Sequence, residues 1–112
     1  MSEPPLLDAA VLDNLIEHIG GDGARAVIGL FLGECRELAA EIAAPGADPD
    51  AVRRAAHSLK SSAGQLGAMA LAKAAAQVEE AAGAGSAALA DHIGVLADYA
   101  TRTEAVLAAR FE

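Results

Sequence analysis

Apolar residues recur three and four positions apart along most of this chain, which is the spacing of amphipathic helices. Glycine and proline divide the pattern into five segments. The first runs from about Asp8, an expected N-cap, to Ile19, and Gly20 and Gly21 end it. Its predicted apolar face consists of Leu7, Val11, Leu15 and Ile19.

The second and third segments are longer. The second covers about 22–43, and its apolar stripe is Val27, Ile28, Phe31, Cys35, Leu38 and Ile42. The third has Asp48 as its expected N-cap and Pro49 at the first helical position, where the missing N–H removes no hydrogen bond. It extends to about Leu66, and Gly67 follows its end.

The last two segments lie between further breaks. The fourth covers about Ala68 to Ala82, and its stripe is Leu71, Ala75, Val78 and Ala82. The sequence 83–85, which holds two glycines, separates it from the fifth segment, for which Ser86 is the expected N-cap. The stripe of the fifth segment is Leu89, Ile93, Leu96, Ala100, Thr103 and Leu107.

These segments predict an all-α fold in one domain that spans residues 1–112. Aromatic residues make up only 3% of the chain, and no alternating pattern indicates a strand. Short connections make successive helices antiparallel neighbours. The expected architecture is therefore an antiparallel up-down-up-down four-helix bundle with a short extra N-terminal helix across one end.

Charge and composition exclude several classes of function. The net charge of −8 argues against nucleic acid and against anionic membrane surfaces as partners. No apolar run is long enough to predict a membrane span. Neither a His-Glu-x-x-His motif nor paired cysteines indicate a metal site, and the single cysteine, Cys35, fits the reducing cytoplasm.

The third segment carries the residues with the clearest chemistry. With about 100° per residue and Val52 at zero, its apolar residues cluster within about 40° of zero, whereas His57 lies near 140°. The histidine is therefore expected to point away from the core. Its helical neighbours are Lys60, Ser61 and Gly64 after it, and Arg53 before it.

An exposed imidazole with these neighbours suits a phosphoryl carrier. It is mostly neutral near pH 7, and the nearby cations Lys60 and Arg53 disfavour its protonation and can offset the charge of a phosphoryl group. Ser61 and Gly64 have little bulk, so a partner could approach closely. The residues alone leave a second interpretation open, in which His57 is an incidental surface residue of a non-catalytic helical interaction or dimerisation module.

The stretch His57-Ser58-Leu59-Lys60, followed by small residues and then Leu66-Gly67-Ala68, resembles the motif of histidine-containing phosphotransfer domains. The cluster Leu30-Phe31-Leu32 is similar to that family's second helix. One departure is Ser61, since the family usually has glycine directly after the lysine. The resemblance implies that a phosphoryl group passes between receiver-domain aspartates, or from a histidine kinase, through phosphorylated His57.

The resemblance also implies roles for other residues. Glu79 matches a position from which the family often hydrogen-bonds the imidazole, although an ordinary rim carboxylate is an equal alternative. The partner receiver domain would supply magnesium, and this chain would bind no cofactor and have no independent turnover, so its status as an enzyme stays open. The docking surface would combine the His57 face with Val11, Leu12 and Ile16.

Overall fold

The computed structural model describes residues 4–111, and all regular secondary structure in that range is helical. The helices are α1 (Ala9–Ala43), α2 (Pro49–Gln65), α3 (Met69–Ala84) and α4 (Leu89–Arg110). The all-α prediction is confirmed. Within the described range, no helix combines the length and the apolar character that crossing a membrane requires.

The glycine pair of the first segment produces a kink rather than a turn between two separate helices. Gly20 has φ 78° and ψ 168°, and the residues on both sides of it are helical, so α1 continues through it as one kinked element. Glycine adopts this positive φ at little cost because it has no Cβ. The sequence thus located the interruption correctly but predicted a more complete separation.

Side-chain caps define where two of the helices begin. The Asp8 carboxylate accepts the N–H of Ala10 at 3.0 Å, and the Asp48 carboxylate accepts the N–H of Ala51 at 3.3 Å. Both expected N-caps are confirmed. The expected cap at Ser86 is wrong, because its hydroxyl accepts the N–H of Ala88 within the preceding turn and α4 begins only at Leu89.

The core lies between the four helices. Helix α1 packs against α2 and α4, helix α3 packs against the same two, and the most extensive contact is between α2 and α3. The apolar stripes predicted for α2, α3 and α4 lie in or against this core. Its largest fully buried side chains are Leu12, Ile42, Leu59, Leu71, Leu96, Leu107, Val78 and Thr103.

The apolar face predicted for the start of α1 is confirmed in part, since Leu7 and Leu15 pack against the core, but it omitted Leu12. Leu12 is fully buried, whereas Val11 and Leu15 are only partly buried and Ile19 is 45% exposed. The reason is a tertiary contact that a helical period does not contain. Val11 packs against the backbone of Gly67, and this contact turns the next residue, Leu12, into the core.

The N-terminal segment is fastened to the connection between α2 and α3. The N–H of Asp8 donates to the carbonyl of Gly67 at 2.7 Å, and the N–H of Ala70 donates to the carbonyl of Pro5 at 3.1 Å. Gly67 has φ 78°, and a Cβ added there would lie 2.9 Å from Cβ of Val11. Only glycine fits this position without strain, and it fixes the end of the helix that carries His57.

Candidate functional site

His57 lies on the outer face of α2, in the third turn of the helix. The residues next to it on the core side, Ala56 and Leu59, are fully buried, whereas 62% of the His57 side chain is exposed. The imidazole therefore lies outside the core, as its angle on the helix predicts. An imidazole in this position is open to a partner from solvent.

Glu79 on α3 joins His57 and Lys60 into one hydrogen-bonded group. Its Oε2 atom lies 2.7 Å from Nδ1 of His57, and its Oε1 atom accepts a hydrogen bond from Nζ of Lys60 at 2.6 Å. Only 21% of the Glu79 side chain is exposed. Both carboxylate oxygens thus have partners on α2, and the contact between α2 and α3 sets the orientation of the imidazole.

The charge of Glu79 determines which imidazole nitrogen carries the proton. The hydrogen bond from Lys60 holds the pKa of the Glu79 carboxyl below its usual range; partial burial opposes this effect, and the hydrogen bond with His57 adds to it. Glu79 is therefore ionised at neutral pH and can only accept hydrogen bonds. Nδ1 of a neutral His57 must then carry the proton, which leaves the lone pair on Nε2.

Two arginines lie beside the imidazole on the N-terminal side. Arg53 and Arg54, with His57, Ser58 and Glu79, line one open depression on the surface. Sequence reasoning noted a cationic patch of Arg53, Arg54 and Lys60 around His57, but it assigned a site role only to Arg53 and Lys60. The signal for Arg54 was available, since Arg54 is three residues before His57 and shares its helix face.

The C-terminal side of the imidazole is small and open. Ser61 and Gly64 are exposed, and a Cβ added at Gly64 would meet no atom within 4 Å. The neighbouring Ser62 donates a hydrogen bond to Glu34 of α1 at 2.6 Å, which ties this part of α2 to α1. The surface here offers no side-chain obstacle to a partner that approaches His57.

A groove with both apolar and polar lining residues adjoins this open side. Leu30 is 77% exposed and forms the apolar part of the groove with Val27, Phe31 and Leu66, and the polar part consists of Glu34, Ser62 and Gln65. Sequence reasoning missed Leu30 as a surface residue, although it lies off the apolar stripe of α1. Leu12, which was expected in the docking surface, is excluded from it because the side chain is fully buried.

Val11 and Ile16, the other two residues expected in that surface, are partly exposed. Val11 packs against Gly67, beyond the end of α2, whereas Leu30 lines the groove next to the open side of His57. Among residues 4–111, no three His, Cys, Asp or Glu side chains come together as metal ligands. The expectation that magnesium comes with the partner stays a prediction.

Comparison with models of protein families places the chain in a known family. The model of the family described as "Hpt domain" matches residues 26–109, a range that includes His57, Lys60 and Glu79. Neither the curated proteins nor the solved structures gave a match. The matched range also includes Leu30 and both arginines of the depression, but it excludes Val11 and Ile16.

Proposed function

The chain belongs to the Hpt domain family, and on that premise we propose that it relays a phosphoryl group between aspartates of receiver domains through His57. The observation that carries this proposal is the exposed imidazole whose Nδ1 atom is hydrogen-bonded to an ionised Glu79. This arrangement presents the lone pair of Nε2 to solvent. The chain acts as a carrier and has no turnover of its own.

In the transfer step, the lone pair of Nε2 attacks the phosphorus of an aspartyl phosphate on the receiver. A bond forms between nitrogen and phosphorus while the bond between phosphorus and the aspartate oxygen breaks, and the carboxylate leaves with the electron pair. The proton on Nδ1 stays in place. The phosphorylated imidazole is then positively charged, and the Glu79 carboxylate, 2.7 Å from Nδ1, offsets that charge. The reverse reaction passes the group to a second receiver.

Glu79 and Lys60 have separate parts in this mechanism. Glu79 is a positioning residue that selects the tautomer and holds the ring. Lys60 holds the second carboxylate oxygen at 2.6 Å, so it keeps Glu79 ionised and correctly oriented. The ammonium of Lys60 also contributes a positive charge close to the imidazole.

The docking surface for the receiver consists of Ser61 and Gly64 together with the groove around Leu30. This surface is supported by its position beside the imidazole and by the exposure of a large apolar side chain there. The receiver brings magnesium and its own acidic site. A histidine kinase is a second possible donor, and the cytoplasm is the compartment that we propose for the relay.

We also propose the antiparallel bundle that the sequence predicted. Along α2, Arg53 lies next to Gly83 of α3, whereas His57 and Lys60, later in α2, bond to Glu79, which is earlier in α3. This order supports opposite directions for the two helices. The helical part of α1 before Gly20 would be the short N-terminal helix, since it packs across the connection between α2 and α3.

The function is tested with a receiver domain that carries a radiolabelled aspartyl phosphate. The wild-type chain and His57→Gln are each mixed with it, and His18→Gln serves as the matched control because His18 is also exposed. We expect acid-labile, alkali-stable label on the wild type and on His18→Gln. We expect none on His57→Gln, which should remain folded by circular dichroism.

Phosphoramidate, which needs no partner protein, is the second donor in the same experiment. If neither donor labels a folded wild-type chain, phosphotransfer is excluded. The remaining interpretation would then be the helical interaction or dimerisation module, and analytical ultracentrifugation would establish whether the chain associates with itself.

A further inference from the structure

Most, but not all, of the basic side chains of the protein form ion pairs. The chain has eight of them, and all eight lie within the described residues. Five form ion pairs there: Arg25, Arg36, Lys60, Arg102 and Arg110. The three without an ion pair among residues 4–111 are Arg53, Arg54 and Lys73. Two of these three therefore lie in the depression around His57.

The direction of the His57 side chain places its imidazole over the turn of α2 that carries both arginines, and all three residues line one depression. Each Cα–Cβ bond tilts toward the N-terminus, so a side chain covers the turn before its own position. The turn before His57 contains Arg53 and Arg54, which are about 6 Å and 4.5 Å away along the helix axis. The aliphatic part of the Arg53 side chain also packs against α3, because its Cδ atom lies 3.4 Å from the point that a Cβ on Gly83 would occupy.

The charges of the hydrogen-bonded group match only part of the charge of a phosphoryl group. The positive charge of Lys60 is matched by the negative charge of Glu79, which it contacts at 2.6 Å, so the phosphorylated imidazole, which keeps its proton on Nδ1, is left with one positive charge. A phosphoryl group on Nε2 adds between one and two negative charges. The protein as a whole already has a net charge of −8.

We infer that Arg53 and Arg54 form the phosphoryl-binding part of the site and hold the oxygens of the group once it is attached to His57. This inference rests on the proposed function and goes beyond it. It assigns the binding of the negatively charged phosphoryl oxygens to the two arginines, whereas Lys60 forms its ion pair with Glu79. Guanidinium groups suit this role because their planar set of N–H donors matches phosphate oxygens.

The test uses phosphohistidine made with phosphoramidate, so that no partner surface is involved. Nε2 displaces ammonia, and a nitrogen–phosphorus bond to the imidazole replaces the one in the reagent. The pH titration of the phosphoryl group is then followed by ³¹P NMR in the wild type, Arg53→Gln, Arg54→Gln and the double variant. Lys73→Gln is the matched control, because it removes an equal charge away from His57.

Nearby cations favour the doubly charged phosphoryl group, so they lower its measured pKa. We expect this pKa to rise by about half a unit in each arginine variant and by about one unit in the double variant, with a smaller rise at high salt. Lys73→Gln should titrate like the wild type. Urea unfolding of each variant establishes that the fold is unchanged.

An equal titration in the wild type and the double variant would overturn the inference while leaving the proposed function intact. Slower transfer from a receiver without any change in the titration would also overturn it, and would assign the arginines to docking. If no donor phosphorylates wild-type His57, both the inference and the proposed function fail.

Discussion

Replacement of Gly67 with alanine should destabilise the protein by far more than one methyl group usually does. Two independent penalties act at this position. The backbone has φ 78°, which costs a residue with a Cβ about 1–2 kcal/mol. The added Cβ would also lie 2.9 Å from Cβ of Val11 and 3.1 Å from the carbonyl oxygen of Asp8. Relief of such overpacking costs about 1–3 kcal/mol.

The two penalties together predict a loss of about 2–5 kcal/mol of unfolding free energy. Two other glycines separate the contributions. Gly46 has φ 72° but no atom within 4 Å of an added Cβ, so Gly46→Ala should lose only the backbone part, about 1–2 kcal/mol. Gly64 is helical with open space around it, so Gly64→Ala should gain about 0.5–1 kcal/mol.

The assay is urea unfolding followed by circular dichroism at 222 nm. For Gly67→Ala we expect the midpoint to fall by about 1–2 M with an unchanged slope. The order of stability should be Gly64→Ala, then wild type, then Gly46→Ala, then Gly67→Ala. If Gly67→Ala and Gly46→Ala lose equal stability, the contact between Val11 and Gly67 does not constrain the connection, and our account of the α2 terminus is refuted.

Three further predictions concern the site and the core. Gly64→Leu should reduce transfer from a receiver domain at least about tenfold, which corresponds to about 1.4 kcal/mol, while leaving labelling by phosphoramidate unchanged; equal loss with both donors would contradict a docking role. Glu79→Gln should slow both kinds of labelling. The unfolding free energy of Glu79→Gln should also fall less than that of the wild type as the pH is lowered into the acid range. The reason is that the lowered pKa of Glu79 stabilises the wild-type fold above the ordinary pKa of 4.5, and this contribution is lost as pH falls further. Urea midpoints that change equally between pH 7 and pH 3 in wild type and variant would contradict this. Burial, and then the charge of Glu104, raise the pKa of the Cys35 thiol to about 11, so stability should fall as pH rises from about 9 to 11, and Cys35→Ala should lack this fall in urea titrations.

Much of the fold could be predicted from the helical spacing of apolar residues, because residues with this spacing form the core. The stripes of α2 and α3 alternate small and large apolar residues against each other, and each predicted stripe lies in or against the core. The start of α1 followed its period only in part. Leu7 and Leu15 pack against the core, but Val11 contacts Gly67, which is distant in sequence, and Leu12 is the fully buried residue. Such a contact requires the positions of three elements, which a single segment does not contain.

In the site too, features that depend on one helix could be predicted from the sequence, whereas features that depend on contacts between helices could not. The exposure of His57 depends only on the angles within α2, and the sequence predicted it. The pairing of Lys60 with Glu79 depends on the rotation of α3 against α2, so the sequence could offer Glu79 only as one of two alternatives. Leu30 was missed for a related reason, since an apolar residue off the stripe is recognised as exposed only when the neighbouring helix is in place.

The most direct test of the central claim is the identity of the phosphorylated atom. The wild-type chain is phosphorylated by a receiver domain, and ³¹P NMR with ¹⁵N-labelled histidine shows which ring nitrogen is bonded to phosphorus. Our account predicts one phosphorylated residue, His57, with the phosphoryl group on Nε2, because Glu79 holds the proton on Nδ1. A phosphoryl group on Nδ1, or on any residue other than His57, would contradict it.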